Sequence, residues 1–219
     1  MLVTEAEWIA GALEEIPDSG LFPLLNVGSS TADFRTRIQP HIDEKVFAPL
    51  RKRCGRVWHA DLKAAAGVDI VGDLAAAGTA DQVRELSIRS ALVSNVLEHV
   101  LEPDKLAQTI IDLVPAGGYI LVSGPQSFPY HPDPIDNGFR PEPGEVLELF
   151  PGTRLTRSTS IDGGNWRRWD TRERPRSRRR LLVRSLIPFY RTDDWRDAAR
   201  NVPYLLRHIR AFGVVLQKR

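Results

Sequence analysis

The chain has 219 residues, with 30 Lys and Arg against 28 Asp and Glu, 42% hydrophobic residues and 16 each of Gly and Pro, the profile of one globular domain. At this length roughly 70% of the unfolded chain's surface can be buried, so folding needs neither a disulfide nor a structural metal. The one cysteine, Cys54, excludes a disulfide framework and any zinc site built on two or more cysteines, and it fits a reducing compartment.

No apolar run approaches the roughly 18 to 20 residues of a membrane span. The first twenty residues carry five acidic and no basic side chains, unlike a secretory signal or a transit peptide. The expectation is a soluble, cytoplasmic protein with no membrane partner, as monomer or homodimer. The net charge of +2 is unevenly spread: residues 167–180 hold eight arginines against Asp170 and Glu173, leaving the rest of the chain mildly acidic.

In chain order, Trp8, Ile9, Ala12, Leu13 and Ile16 recur at helical spacing and predict an amphipathic helix ended by Pro17 and an Asp-Ser-Gly turn. The apolar run Leu21 to Val27 stops at Gly28-Ser29-Ser30-Thr31-Ala32 and reads as a buried strand entering a tight turn. A helix and connection containing HIDEKVFAPLRKRCG follow. Further strands are expected at Arg56 to Ala60, Val68 to Val71, Ser90 to Val93 and Tyr119 to Ser123. Between the last two, DKLAQTIIDLV is punctuated as a helix by Pro103 and Gly117.

Beyond Gly124 come six prolines in 21 residues, too many for a helix or a central strand. A short helix from Glu145 to Phe150, a strand from Arg154 to Ile161, a helical segment from about Asp193 to Ile209 and a last strand from Phe212 to Gln217 complete the series. Strands alternating with helices require crossover connections, hence an α/β fold with a mostly parallel sheet covered on both faces.

In such a sheet, ligands bind at the carboxyl ends of the strands near the switch point. The residues there are Gly28 and Ser29, Asp61, Asp73, Asn95, and Ser123 with Gly124. A small-residue turn lets a ligand approach the backbone, and a carboxylate after the second strand can accept two ribose hydroxyls, so the pattern points to a nucleoside-containing ligand. The chain has no GxxxxGK[ST] loop, and Ser30 and Asp33 stand where a GxGxxG turn needs glycine. No tyrosine has a lysine four residues on, which removes the pair found in many short-chain dehydrogenases.

LLNVGSSTADF, VWHADL, VDIVGDL, ALVSNVLEHVLEP and PAGGYILVSGP, in this order over residues 21–127, resemble the motifs of the class I S-adenosylmethionine (SAM) dependent methyltransferases, nearest the methyltransferase-11-like group. The resemblance implies a Rossmann-like fold with a seven-stranded, mostly parallel sheet whose last strand is antiparallel. It implies a single domain, with 21–127 as cofactor-binding core and 128–210 as acceptor-side lid and insertions. SAM is the implied cofactor. Asn26, Gly28, Ser29 and Ser30 would lie against its methionine part, Asp61 would hold the ribose and Asp73 the adenine amino group. Asn95 would sit near the sulfonium, and Leu62, Leu74 and Val96 complete the expected contacts.

Methyl transfer is an in-line displacement in which the protein orients a nucleophile and removes its proton. His99 resembles the histidine of the group's vLeHv motif; its plainer reading is a helix-start residue packed on the sheet. The stiff stretch Tyr130-His131-Pro132-Asp133-Pro134-Ile135-Asp136-Asn137-Gly138-Phe139-Arg140 should cross the mouth of the cofactor site. In an extended chain His131 and Asp133 share a face. Three readings stay open: His131 as a general base oriented by a carboxylate, with Tyr130, Asp136 and Arg140 toward the acceptor; His131, Asp133 and Asp136 as ligands of a Mg2+ ion; or a rigid lid whose aspartates cap turns.

The arginine-rich segment suits nucleic-acid phosphate, an acidic membrane, an anionic substrate, or a solvated loop or substrate lid. Ser94-Asn95-Val96-Leu97 lacks the Asn-Pro-Pro-aromatic pattern of enzymes that methylate base amino groups, which argues against nucleic acid. The leading expectation is O-methylation of a small-molecule hydroxyl on a sugar or natural product. A SAM-binding regulatory protein on the same fold and an RNA-directed methyltransferase are the alternatives.

Overall fold

The computed structural model describes residues 1–131, 133, 135–165, 195–196, 201–205 and 207–219. Its helices are α1 (Val3–Glu14), α2 (Asp18–Leu21), α3 (Pro40–Ile42), α4 (Ala48–Lys52), α5 (Ala77–Glu85), α6 (Pro103–Leu113) and α7 (Val146–Leu149). The strands are β1 (Leu24–Val27), β2 (Val57–Asp61), β3 (Ile70–Val71), β4 (Ser90–Ser94), β5 (Tyr119–Ser127), β6 (Thr153–Asn165) and β7 (His208–Lys218). They form one sheet in the order β3-β2-β1-β4-β5-β7-β6. β1 pairs in parallel with both β2 and β4, β2 with β3, and β4 with β5; β7 runs antiparallel between β5 and β6. The expected seven-stranded sheet with an antiparallel last strand is the observed one.

Period-two alternation assigns each strand residue to a face. Leu25 and Val27, Ala91 and Val93, Ile120 and Val122 pack with Val83 of α5, Ala107 and Ile110 of α6, and Val146 of α7. Their neighbours Leu24, Leu92 and Leu121 face Ile9 and Leu13 of α1, and Ile42, Val46 and Leu50 around α3 and α4. Both faces of the parallel core are therefore largely apolar, with Asn26 of β1 and His59 of β2 as a hydrogen-bonded polar exception.

Several expected boundaries move. Asp18–Leu21 is helical rather than a turn, so β1 begins three residues later than expected, at Leu24. β3 is reduced to Ile70–Val71, a short edge strand of the kind that discourages edge pairing. β5 continues through Pro125 to Ser127, a stretch expected to lie outside any strand; the register shifts between Pro125 and Ser127, and such an irregularity accommodates a residue that lacks an amide donor. His208 and Ile209 belong to β7 rather than to a helix, while Val202–Leu205 is a 3-10 turn. Residues 193–194, 197–200 and 206 of the expected 193–209 helix, and all of the arginine-rich 167–180 segment, lie outside the described residues. Among those described, no helix is long and apolar enough to cross a membrane.

Candidate functional site

The switch point falls between β1 and β4, whose ends are in register at Val27 and Val93. Gly28 follows β1 with φ +64, and a Cβ there would overlap Cγ2 of Val96. The turns after β1 and β4 are thus in contact only because residue 28 is glycine. Ser30 and Asn95 take positive φ without being glycine, at 53° each, and such strain clusters at functional edges.

The turn after β1 is tied to β2. The Ser29 amide donates to the Ala60 carbonyl (2.9 Å), and the Ser30 amide donates to Oδ2 of Asp61 (2.7 Å). Oδ1 of Asp61 accepts from the Lys63 amide (2.9 Å), so each carboxylate oxygen keeps a lone pair for a further donor. The buried Arg35 guanidinium donates to the carbonyls of Ser29, Ser30 and Gly67 at 2.7 to 2.8 Å, stapling the turn to the β2–β3 connection. Leu62 and Val71 are exposed apolar side chains at the same end, 72% and 46% accessible. Leu74 is buried, and Asp73 accepts the Ala75 amide (2.9 Å) as a turn cap. Asn26 stands in β1, two residues before Gly28. It lies on the face covered by α3 and α4, bonded to Nδ1 of His59 (3.0 Å); burial pushes that imidazole down to about 4, with the positive charge of Arg35 adding to the effect.

α1 contributes a group that sequence reading missed. Ser94 and Ser123 share the faces of Leu92 and Leu121, against which α1 packs, and Glu5 stands one turn before Ile9. Its buried carboxylate accepts from Ser123 Oγ (2.7 Å), Asn95 Nδ2 (2.8 Å) and the Leu2 amide (3.1 Å). The signal was a glutamate on the apolar stripe of that helix. Glu5→Ala leaves these buried donors unsatisfied and should destabilise the fold by about 3 kcal/mol in urea unfolding; a change within about 0.5 kcal/mol, as at an ordinary surface site, would contradict this account.

The loop after β5 docks on the 3-10 turn Leu97–His99 that follows β4. Asn137 donates through Nδ2 to the carbonyls of Leu97 and Val100 (both 2.8 Å) and through its amide to that of Glu98 (2.9 Å). Asp136, with a fully buried side chain, accepts from the His131 amide (3.0 Å), the Gly138 amide (2.9 Å) and Nη2 of Arg140 (2.6 Å). Burial alone would raise its pKa, but Arg140 and the two amides hold it below the usual carboxylate value. Asp136 and Arg140 thus organise the loop. The amide of Tyr130 donates to Asn201 Oδ1 (2.9 Å), and the Tyr130 carbonyl accepts from Asn201 Nδ2 (3.1 Å).

His131 and His99 meet edge to face, with ring centroids 5.2 Å apart. His99 Nδ1 donates to the Ile135 carbonyl (2.6 Å) and His131 Nδ1 to that of Pro129 (2.9 Å). These bonds fix the tautomers, because a carbonyl only accepts, so each ring keeps its lone pair on Nε2. Glu98 Oε1 lies 3.7 Å from His99 Nε2, buried and without a hydrogen-bond partner. Burial pushes the Glu98 carboxyl up to about 8 and lowers the His131 pKa below its ordinary 6.5, against the pull of the Pro129 carbonyl and Asp136.

The trio expected to hold a metal is therefore not the one assembled. Asp133 is exposed and Asp136 is spent on amides and Arg140. Among the described residues, the group with ligand atoms within 4.8 Å of one another is Glu98, His99 and His131.

No family model matches the sequence, and no curated protein matches it. In structure the chain is similar to a proposed sarcosine dimethylglycine methyltransferase from Galdieria sulphuraria, with TM-score 0.55, 14% identity, and 98% of this chain and 84% of that one covered. It is similar to a SAM-dependent methyltransferase from Archaeoglobus fulgidus at TM-score 0.52 and 12% identity, covering 97% and 94%. Coclaurine N-methyltransferase, solved with N-methylheliamine and S-adenosylhomocysteine, gives 0.51 and 13%, covering 96% and 70%. This is the class I methyltransferase fold.

Within the class I methyltransferase fold, the switch-point edge unites Gly28, Ser29, Ser30, Asp61, Asn95 and Val96, and the β5 loop brings His131 to His99. It does not bring Asp133 into the histidine cluster. Glu98 carried only the sequence signal of a glutamate preceding the motif histidine, and Arg35 carried none, since an arginine in a polar connection is ordinarily solvated.

Proposed function

We propose that the protein is a SAM-dependent methyltransferase acting on a hydroxyl of a small molecule, with residues 21–127 as cofactor-binding core and 128–210 as acceptor side. The observation that carries this reading is the pair His99 and His131 at the carboxyl ends of β4 and β5, each with Nδ1 bound to a carbonyl and Nε2 left as a base. The cofactor fits the edge: Gly28 permits close backbone approach, Asp61 keeps free lone pairs for ribose hydroxyls, and the exposed Leu62 and Val71 offer an apolar bed beside it for an adenine.

When bound, SAM supplies an electrophilic methyl group on a sulfonium. The chain's part is to hold the acceptor oxygen in line with that methyl and to take its proton. The acceptor's proton would pass to Nε2 of His131, which is neutral near pH 7 because burial disfavours its charged form. The loop built by Asp136, Asn137 and Arg140 fixes His131 for this task.

Calorimetric titration with S-adenosylhomocysteine should give saturable 1:1 heat, and Gly28→Ala should abolish it, since a methyl group there meets both positive φ and Val96. Absence of heat from the native protein at millimolar ligand would sink the proposal. Binding without turnover on any hydroxyl acceptor would instead favour a regulatory protein on this fold.

A further inference from the structure

We propose that Glu98, His99 and His131 form a binding site for one divalent transition-metal ion of the Zn2+ or Co2+ type, with coordination positions left open for an acceptor oxygen. The ligand atoms of the three residues lie within 4.8 Å of one another. Ligand atoms about 2.1 Å from one tetrahedral ion lie about 3.4 Å apart, so closure of at most roughly 1.4 Å completes the set. Two imidazoles and one carboxylate suit a borderline first-row ion better than Mg2+, which prefers oxygen donors.

Two further features point the same way. Metal-bound histidines almost always donate their second ring N–H to a carbonyl or carboxylate, which fixes ring and tautomer. Both rings have that support, from Ile135 and Pro129. Glu98 is 1% exposed, and its Oε1, the atom facing His99 Nε2, has no hydrogen-bond partner. A buried polar atom left unpaired beside an imidazole lone pair calls for a partner, and a cation between the two satisfies both.

The inference rests on the same pair of histidines as the proposed function and changes how their lone pairs are used. With the ion bound, the acceptor hydroxyl would sit on the metal, which lowers its pKa so that its proton leaves to solvent; without the ion, Nε2 of His131 takes that proton. Metal binding by the protein needs neither SAM nor turnover, so it is measured independently of the cofactor reading.

The full chain, stripped with EDTA and dialysed, is titrated with Co2+ while visible d–d absorption and heat are recorded. One ion per chain should bind, with absorption bands of nitrogen and oxygen ligation. His99→Ala and, separately, Glu98→Gln should weaken binding by roughly 100-fold or more, beyond the 10- to 100-fold typical of outer-shell changes. Circular dichroism confirms that each variant is folded, and Glu98→Gln, which keeps side-chain shape, guards against loss of fold in the histidine variant. His208→Ala removes the exposed His208–Asp162 pair, the competing surface chelate, and should leave binding unchanged. Absence of binding, binding untouched by both cluster variants, or binding lost with His208→Ala overturns the proposal. Heat from S-adenosylhomocysteine in EDTA is read separately and bears only on the cofactor.

Discussion

Glu98→Gln is expected to stabilise the metal-free protein by about 3 kcal/mol at pH 7. The folded carboxyl titrates near 8, against 4.5 for an ordinary glutamate, because burial disfavours its charge. The folded state therefore keeps a proton that the unfolded state gives up. Below pH 4 the carboxyl is neutral in both states and the native protein is at its most stable with respect to this group. As pH rises from about 4.5 to 8 that stability drains away, at about 1.4 kcal/mol per unit. Glutamine has the same shape and no proton to lose. Urea midpoints of the two proteins should coincide near pH 4 and separate steadily above it, the variant being the more stable. Equal midpoints at pH 7 would show that Glu98 imposes no such burden. A carboxylate retained against its own cost is the pattern expected of a residue kept for activity.

His131→Ala is expected to slow methyl transfer by roughly 10²- to 10⁴-fold, the range of a lost general base, while S-adenosylhomocysteine binds as before. The loop should survive, since Asp136 accepts from the residue 131 amide and from Arg140 rather than from the imidazole alone. In the native protein the proposed methyl transfer should climb with pH through a midpoint below 6.5, because the burial-lowered pKa of His131 sets the fraction of neutral ring, and then level off. The variant should lose that limb. A variant that keeps both the rate and the limb would remove His131 from the mechanism, whether as base or as ligand.

What was legible in the sequence was what lies along the chain. Gly28, Asp61, Asp73 and Asn95 each end a strand, and a parallel sheet gathers strand ends at one edge, so order alone placed them together. The α1 stripe and the punctuated α6 read directly from apolar spacing. α5 did not, because only Ala80 and Val83 of AGTADQVRE are buried and leave no stripe. Side chains that reach across the fold were also hidden. Glu5 meets Ser123 over a separation of 118 residues, and nothing local to either marks the pairing. Asp133 failed for the opposite reason. Its alternation with His131 assumed an extended chain, whereas the Asp133 amide bonds to the Ile135 carbonyl (3.3 Å) and the loop folds back onto Glu98 through Asn137. Pro125 signals a strand end by its missing amide donor, yet β5 absorbs it at an irregularity that only the pairing with β7 reveals.

The placement of β7 carries a consequence for how the molecule is made. The sheet is threaded out of order: β6 sits at the edge, and its strand-to-strand hydrogen bonds go to β7, which also supplies the partner for the outer side of β5. During synthesis, strands β1 to β5 can assemble as they emerge, while β6 must wait for the later strand that will lie between it and the rest. Until His208–Lys218 is in place, two strand edges stand open to pairing with other chains, so the docking of this one strand closes the sheet against aggregation.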